Sequence, residues 1–331
     1  MSTERPFGRA LCAMITPFTP AGALDLDRAS ELAVRLVSEG CDGLVLSGTT
    51  GESPTTTDAE KAALVRAVRA AVGPGPSVVA GVGTADTRHT VALAEQAAEA
   101  GADGLLVVTP YYSRPPQAAV EAHFLKVADA TDLPVMLYDI PPRSIVPIEV
   151  DTLLRLAEHP RIAAVKDAKG DLIAGSEVIA STHLAYYSGD DGLNLPWIAV
   201  GGVGVVSVIG HVVAGRIRAM IEAYESGDTS TARTNHRAML PVMRAMSRVG
   251  GVAFAKASLR LRGFDIGDPR LPVVPATDEQ SALIAADLAQ GGVPLGDSAA
   301  QDWHGARVAQ ADSQAAYVAP TSHTSVGTLP R

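Results

Sequence analysis

Short apolar, β-branched runs alternate along the first two thirds of the chain with longer stretches whose apolar residues recur three and four positions apart. This is the pattern of successive βα units. It predicts strands over residues 11–17, 43–47, 78–82, 105–109, 135–139, 163–167, 185–188 and 205–209. Between them, sets such as Leu32 and Leu36, Leu64, Val65 and Val68, or Leu153, Leu154 and Leu156 predict helices that cover the strands from outside. Two of the helix-to-strand connections share a spelling: Gly40-Cys41-Asp42-Gly43-Leu44 and Gly101-Ala102-Asp103-Gly104-Leu105 both read GxDGL, with glycine where a helix end needs a left-handed residue. Most strands are apolar on both faces, and eight such units favour a closed parallel (β/α)8 TIM barrel over an open doubly wound sheet.

Helical periodicity continues after the eighth strand, over 216–225, 229–247, 250–261 and 278–289. The expected organisation is therefore a barrel over 1–215 and a C-terminal helical extension over 216–290. From Gly291 to Arg331 the chain turns to Ala, Ser, Gly, Thr and Gln without periodicity, which predicts a disordered tail.

Composition narrows the classes of function. The 331 residues are 47% hydrophobic and 19% charged, enough for a large core. With 27 basic and 36 acidic side chains the formal charge is −9, which argues against nucleic acid or an anionic membrane as partner. The longest apolar stretch, 198–215, carries Ser207, His211 and five glycines, so it reads as a buried strand with its loops and not as a membrane span. The run 10–15 is too short for the core of a signal peptide. Cys12 and Cys41 form neither a disulfide framework nor a metal knuckle, which suits a reducing cytoplasm. The eight histidines are scattered, and only His211 closely follows a strand end, so no metal ligand set is apparent. Gly81-Val82-Gly83 and Gly202-Val203-Gly204 lack the rest of a dinucleotide loop.

A TIM barrel carries its chemistry at the C-terminal ends of its strands. After the second strand, Ser47-Gly48-Thr49-Thr50-Gly51-Glu52-Ser53 is either a plain turn or a backbone cradle for a carboxylate or phosphate. Tyr111 and Tyr112 follow the fourth strand, and Tyr138 and Arg143 flank the end of the fifth. Phenols there either relay protons or simply pack, and Arg143 is either a solvated loop residue or a carboxylate fork. Strand six is the most informative. Lys166 interrupts the apolar run 162–165 in a chain with only five lysines. Burial favours the uncharged amine, a nucleophile toward ketones, while a structural reading has the side chain snorkelling to the rim. Asp167 points to the opposite face of the strand and is badly placed to pair with it.

Taken in order, Gly48-Thr49-Thr50-Gly51-Glu52-Ser53, Thr109-Pro110-Tyr111-Tyr112, Leu137-Tyr138-Asp139-Ile140-Pro141-Pro142-Arg143, Val165-Lys166-Asp167-Ala168 and Ser188-Gly189-Asp190-Asp191 resemble the dihydrodipicolinate synthase / N-acetylneuraminate lyase family of Schiff-base aldolases. The likeness runs from about Leu11 to Ala289. Arg143 places it nearer the synthase branch, whose substrates are pyruvate and L-aspartate 4-semialdehyde, than the sugar-acid lyases. A non-catalytic barrel that binds keto acids is a further alternative, which the joint presence of Thr49, Tyr112, Tyr138 and Lys166 disfavours. The resemblance implies that Lys166 forms an imine with pyruvate, that Thr50 and the backbone at Val206 hold the pyruvate, and that Tyr138, Thr49 and Tyr112 relay protons. Arg143 would hold the semialdehyde carboxylate. It further implies that Tyr112 reaches in from a neighbouring subunit of a homotetramer, and that neither cofactor nor metal is used. There are two departures from the family pattern. Asp139 stands where asparagine is frequent and is expected to point away from the imine. Asp58, Lys61, Ala85 and His89 occupy the cleft where relatives bind the inhibitor lysine, so weak or absent inhibition by lysine is expected.

Overall fold

The computed structural model describes residues 5–296. Eight parallel strands close into a barrel in sequence order: β1 Ala10–Ala13, β2 Gly43–Leu46, β3 Ser77–Gly81, β4 Gly104–Val108, β5 Val135–Asp139, β6 Ile162–Asp167, β7 Ala185–Ser188 and β8 Gly204–Ser207, with β8 pairing back onto β1. Helices α1 Leu26–Ser38, α2 Asp58–Val72, α3 Thr87–Glu99, α4 Gln117–Ala128, α5 Pro141–Ser144, α6 Val150–Leu156, α7 Leu172–Ser181, α8 Asn194–Ala199 and α9 Gly210–Glu225 connect or follow the strands. The extension adds α10 Thr229–Ala238, α11 Leu240–Val249, α12 Gly251–Leu261 and α13 Asp278–Gln290. No helix among the described residues is long and apolar enough to cross a membrane.

Two cores follow from the two-residue alternation of each strand. Leu11, Val45, Val79, Leu106, Met136, Ala164 and Val206 fill the barrel interior. Their sequence neighbours, such as Leu44, Val78, Leu105, Leu137, Val165 and Val205, pack outward against the helices. Phe7 plugs the N-terminal end so tightly that a β-carbon on Gly104 would lie 2.4 Å from its ring. The repeated GxDGL spelling closes this end. Asp42 Oδ2 accepts the N–H groups of Arg9 and Ala10 at 2.8 and 3.0 Å, and Asp103 Oδ2 accepts that of Val78 at 2.7 Å, while Gly40 and Gly101 take the left-handed turns at φ 118° and 90°.

The structure shifts several boundaries expected from sequence. The eighth strand ends at Ser207 because Asp191 captures the N–H groups of Val208 and Ile209, at 2.9 and 3.0 Å. Helix α9 begins at Gly210, ahead of the expected start at 216, but is interrupted at Val213, whose backbone is non-helical at φ −137° and ψ 26°; it lies against β1. The single helix expected over 229–247 is two. Pro241 at the start of α11 has no N–H to continue the ladder from α10. Residues 291–296, placed in a disordered tail, are packed: Val293 is buried and the Gly296 N–H donates to the Leu261 carbonyl at 2.9 Å. The rest of that tail, 297–331, lies outside the described residues.

Candidate active site

At the C-terminal mouth of the barrel the turn after β2 is built by close backbone approach. Ser47 ends the strand in the left-handed region at φ 51°, and Glu52 closes the turn at φ 56°. A β-carbon on Gly81 would sit 2.4 Å from the Ser47 carbonyl oxygen, and one on Gly51 would sit 2.9 Å from the Ser47 nitrogen. Only glycine fits either place. The Thr16 hydroxyl donates to the Gly51 carbonyl at 2.6 Å, and the Glu52 and Ser53 N–H groups fold back onto the carbonyls of Thr49 and Gly48. The turn thus presents Thr49 to the mouth and buries Thr50.

A cavity of about 250 Å³ opens beside this turn, lined by Thr49, Tyr111, Tyr138, Ile140, Arg143 and Ser144 among others. Register across the sheet sets Tyr138 of β5 beside Lys166 of β6 and Tyr187 of β7, all facing inward. Lys166 is 5% exposed, and its Nζ lies 4.1 Å from the centroid of the Tyr138 ring. The neighbouring carboxylates are engaged on the outer face: Asp167 accepts the N–H groups of Lys169 and Gly170, and Asp139 pairs with Lys169 at 3.2 Å. Gly189 makes room for the amine's stem, since a β-carbon there would lie 3.1 Å from Lys166 Cγ. Asp191 pins the strand that carries Val206. It accepts the Ser207 hydroxyl, the Asn194 amide at 3.1 Å and the two N–H groups after β8. Burial pushes its carboxyl up, and these hydrogen bonds pull it back.

Of the residues singled out from sequence, Thr49, Tyr138 and Arg143 share the cavity, and Lys166 touches its Tyr138 wall. Thr50 is buried in the turn, and Val206 lies in the barrel interior with Tyr138. Tyr112 is not brought to this protomer's cavity: it is 88% exposed, with left-handed backbone at φ 72°. Its neighbour Tyr111, noted from sequence as a phenol after the fourth strand but given no role in the relay, lines the cavity instead, together with Ser144, which sequence reasoning did not single out. His211 is structural. It is buried, its Nε2 accepts the Ile15 N–H at 3.1 Å, and burial holds it down at about 4. Among the described residues no group of His, Cys, Asp and Glu could hold a metal.

Asp139 does point away from Lys166, with Oδ1 on the Ile148 N–H at 3.2 Å, but it remains a buried carboxyl pushed up to about 6, chiefly by desolvation and against the pull of Lys169. A raised acid binds its proton in the folded state where the unfolded chain has released it, so stability falls as pH climbs from about 4 through 6. Asp139→Asn is expected to lack this slope. The unfolding free energy of the variant minus that of the native chain should grow by about 2 kcal/mol between pH 4.5 and 7.5 in urea titrations. A gap that stays level would show the carboxyl to be ordinary.

The chain matches the model of the dihydrodipicolinate synthetase family over residues 6–291. It is 61% identical over 281 residues to a 4-hydroxy-tetrahydrodipicolinate synthase of Mycolicibacterium gilvum, covering 85% of this chain and 93% of that protein. A synthase of the same description from Acidothermus cellulolyticus is 61% identical over 287 residues, with 87% and 93% covered. Among solved structures, a dihydrodipicolinate synthase from Bacillus anthracis superposes with TM-score 0.84 at 40% identity, covering 87% of this chain and 99% of that one. One from Cyanidioschyzon merolae with lysine bound superposes with TM-score 0.86 at 37% identity, covering 88% and 100%.

Proposed function

The chain belongs to the dihydrodipicolinate synthetase family and carries the 4-hydroxy-tetrahydrodipicolinate synthase activity, and we propose that it exerts it through an imine between Lys166 and pyruvate. The observation that carries this reading is the inward-facing Lys166 amine 4.1 Å from the ring of Tyr138, a wall of the cavity. The amine adds to the pyruvate ketone and water leaves, giving a protonated imine. As an electron sink the imine lets the pyruvate methyl release a proton, and the resulting enamine attacks the aldehyde of L-aspartate 4-semialdehyde, whose oxygen takes up a proton. The amine of that substrate then attacks the former keto carbon and displaces Lys166, restoring the free enzyme. No step calls on a cofactor or a metal.

Within this scheme Tyr138 and Thr49 move protons, Thr50 and the backbone at Val206 hold the pyruvate, and Arg143 at the cavity rim takes the semialdehyde carboxylate as a planar fork. The exposed Tyr112 has no partner in its own protomer's cavity, which supports its service in a neighbouring subunit of a homotetramer. The free thiols of Cys12 and Cys41 support a reducing cytoplasm as the setting.

The decisive assay compares turnover of pyruvate and L-aspartate 4-semialdehyde with cleavage of N-acetylneuraminate and 2-keto-3-deoxy sugar acids. Turnover of the first pair is expected, and cleavage of the sugar acids alone would overturn the reading. In the same assay lysine is expected to inhibit weakly or not at all. The Lys61 ammonium already occupies the carbonyls of Ser53 and Thr56, at 2.9 and 2.5 Å, and Asp58 is paired with His89 at 2.9 Å. A second ammonium would meet like charge there. Strong inhibition at equimolar lysine and pyruvate would contradict this.

A further inference from the structure

A buried ion pair lies directly behind the Thr49–Thr50 turn, outside the chemistry described so far. Glu52 and Lys256 are each 3% exposed, and Glu52 Oε1 lies 3.3 Å from Lys256 Nζ. The other carboxylate oxygen accepts the Arg270 N–H at 2.8 Å. Lys256 also donates to the carbonyls of Thr16 and Asp268, at 3.0 and 3.1 Å, and its Nζ lies 4.5 Å from the centroid of the Phe18 ring. Burial pulls the ammonium down while Glu52 pulls it back up.

The contacts form a grip on one short segment. Thr16, whose carbonyl takes the Lys256 ammonium, gives its own hydroxyl to Gly51. Arg270 adds a bond from its guanidinium to the Thr55 carbonyl at 2.8 Å and a bidentate pair with Glu60. The start of α12 reaches the turn as well, since a β-carbon on Gly251 would lie 3.9 Å from Thr50 Oγ1. Left-handed backbone at a residue other than glycine persists only where its surroundings hold it there, and Glu52 is held at its side chain by elements more than two hundred residues away. An opposed pair carries no net charge, so it can shape the turn without repelling or attracting a bound carboxylate as a lone ion would. Removing one member leaves a buried charge without its counterpart, and the segment must shift to bring that charge to water.

We propose that Glu52 and Lys256 are positioning residues for the keto-acid subsite, through which the C-terminal extension sets Thr49 and Thr50 to receive the pyruvate carboxylate. This rests on the functional reading above, with pyruvate bound at Lys166. The test uses the full chain and three variants, Glu52→Gln, Lys256→Met and the double substitution. Steady-state constants for both substrates are measured alongside the pyruvate concentration that half-saturates borohydride trapping at Lys166 and the thermal midpoint. Each single variant is expected to raise half-saturating pyruvate by fivefold or more in both experiments, with KM for the semialdehyde within twofold. The double variant, which orphans no charge, is expected to shift by less than the product of the two singles. A purely structural pair would lower the amount of folded enzyme, and so kcat and the midpoint together, without moving pyruvate half-saturation. A pyruvate shift below fivefold in folded single variants therefore overturns the proposal. Should the singles not fold, the double decides alone: a rise of twofold or more in half-saturating pyruvate supports the placement, and a smaller one overturns it. Native enzyme that traps nothing at Lys166 would bring down the functional reading and this placement with it, whereas native trapping with unmoved variants defeats only the placement.

Discussion

Lys166→Ala is expected to abolish the adduct formed with pyruvate and borohydride and to lower kcat/KM by about four orders of magnitude or more. Reduction of the imine by borohydride leaves a three-carbon group on the amine, so peptide mass mapping locates it directly. Two features make Lys166 the site. It is the lysine whose side chain points into the barrel between the rings of β5 and β7, and both adjacent carboxylates are held on the opposite face by Lys169 and Gly170. Lys256, the other well-buried lysine, faces Glu52 and two carbonyls, so it is expected to stay unlabelled. An adduct elsewhere, or near-native turnover of the variant, would refute the mechanism. The small replacement is tolerable for folding because, among the described residues, the buried carboxylates of Asp139 and Glu52 pair with Lys169 and Lys256 and not with Lys166.

Tyr138→Phe is expected to lower kcat by about 10²–10⁴-fold with little change in the thermal midpoint. The ring stays, so packing against Lys166 and the interior residues is preserved, and only the phenolic oxygen is lost. If Tyr138 moves the proton that forms the imine, the rate of trapping with pyruvate should fall along with turnover. If it acts only on the aldehyde oxygen, trapping should stay fast while turnover drops. Turnover within threefold of native would show that the phenol is packing alone.

The inward direction of Lys166 was legible because alternation holds around it: Ala164 faces the barrel, Val165 the helices and Asp167 outward, and the irregularity of β6 lies before Ala164. Eight repeats of one unit made the closed sheet legible as well. The end of β8 was not, because it is decided by Asp191, a residue of the preceding connection that takes the N–H groups the strand would have used. The break before α11 had a local signal in Pro241 that helical periodicity masked. The separation of Tyr111 from Tyr112 depends on one left-handed backbone angle, and nothing in two adjacent tyrosines announces it. Likewise Glu52 and Lys256 meet only because the barrel mouth and the extension share a face. The one sequence cue is Lys256 itself, set among apolar residues of a helix as Lys166 is among those of a strand.

The glycines behind the Thr49–Thr50 turn have a consequence for engineering. With Ser47 pressed so close to Gly51 and Gly81 that one added carbon would collide with the backbone, neither glycine accepts a larger residue, and the backbone of the wall that receives the donor is fixed. On the far wall Arg143 sits on the short helix α5 and Ile140 immediately precedes it, and both line the cavity. Libraries aimed at new aldehydes should therefore be concentrated at those two positions, and the catalysts they yield should keep pyruvate as donor whatever acceptor they come to prefer.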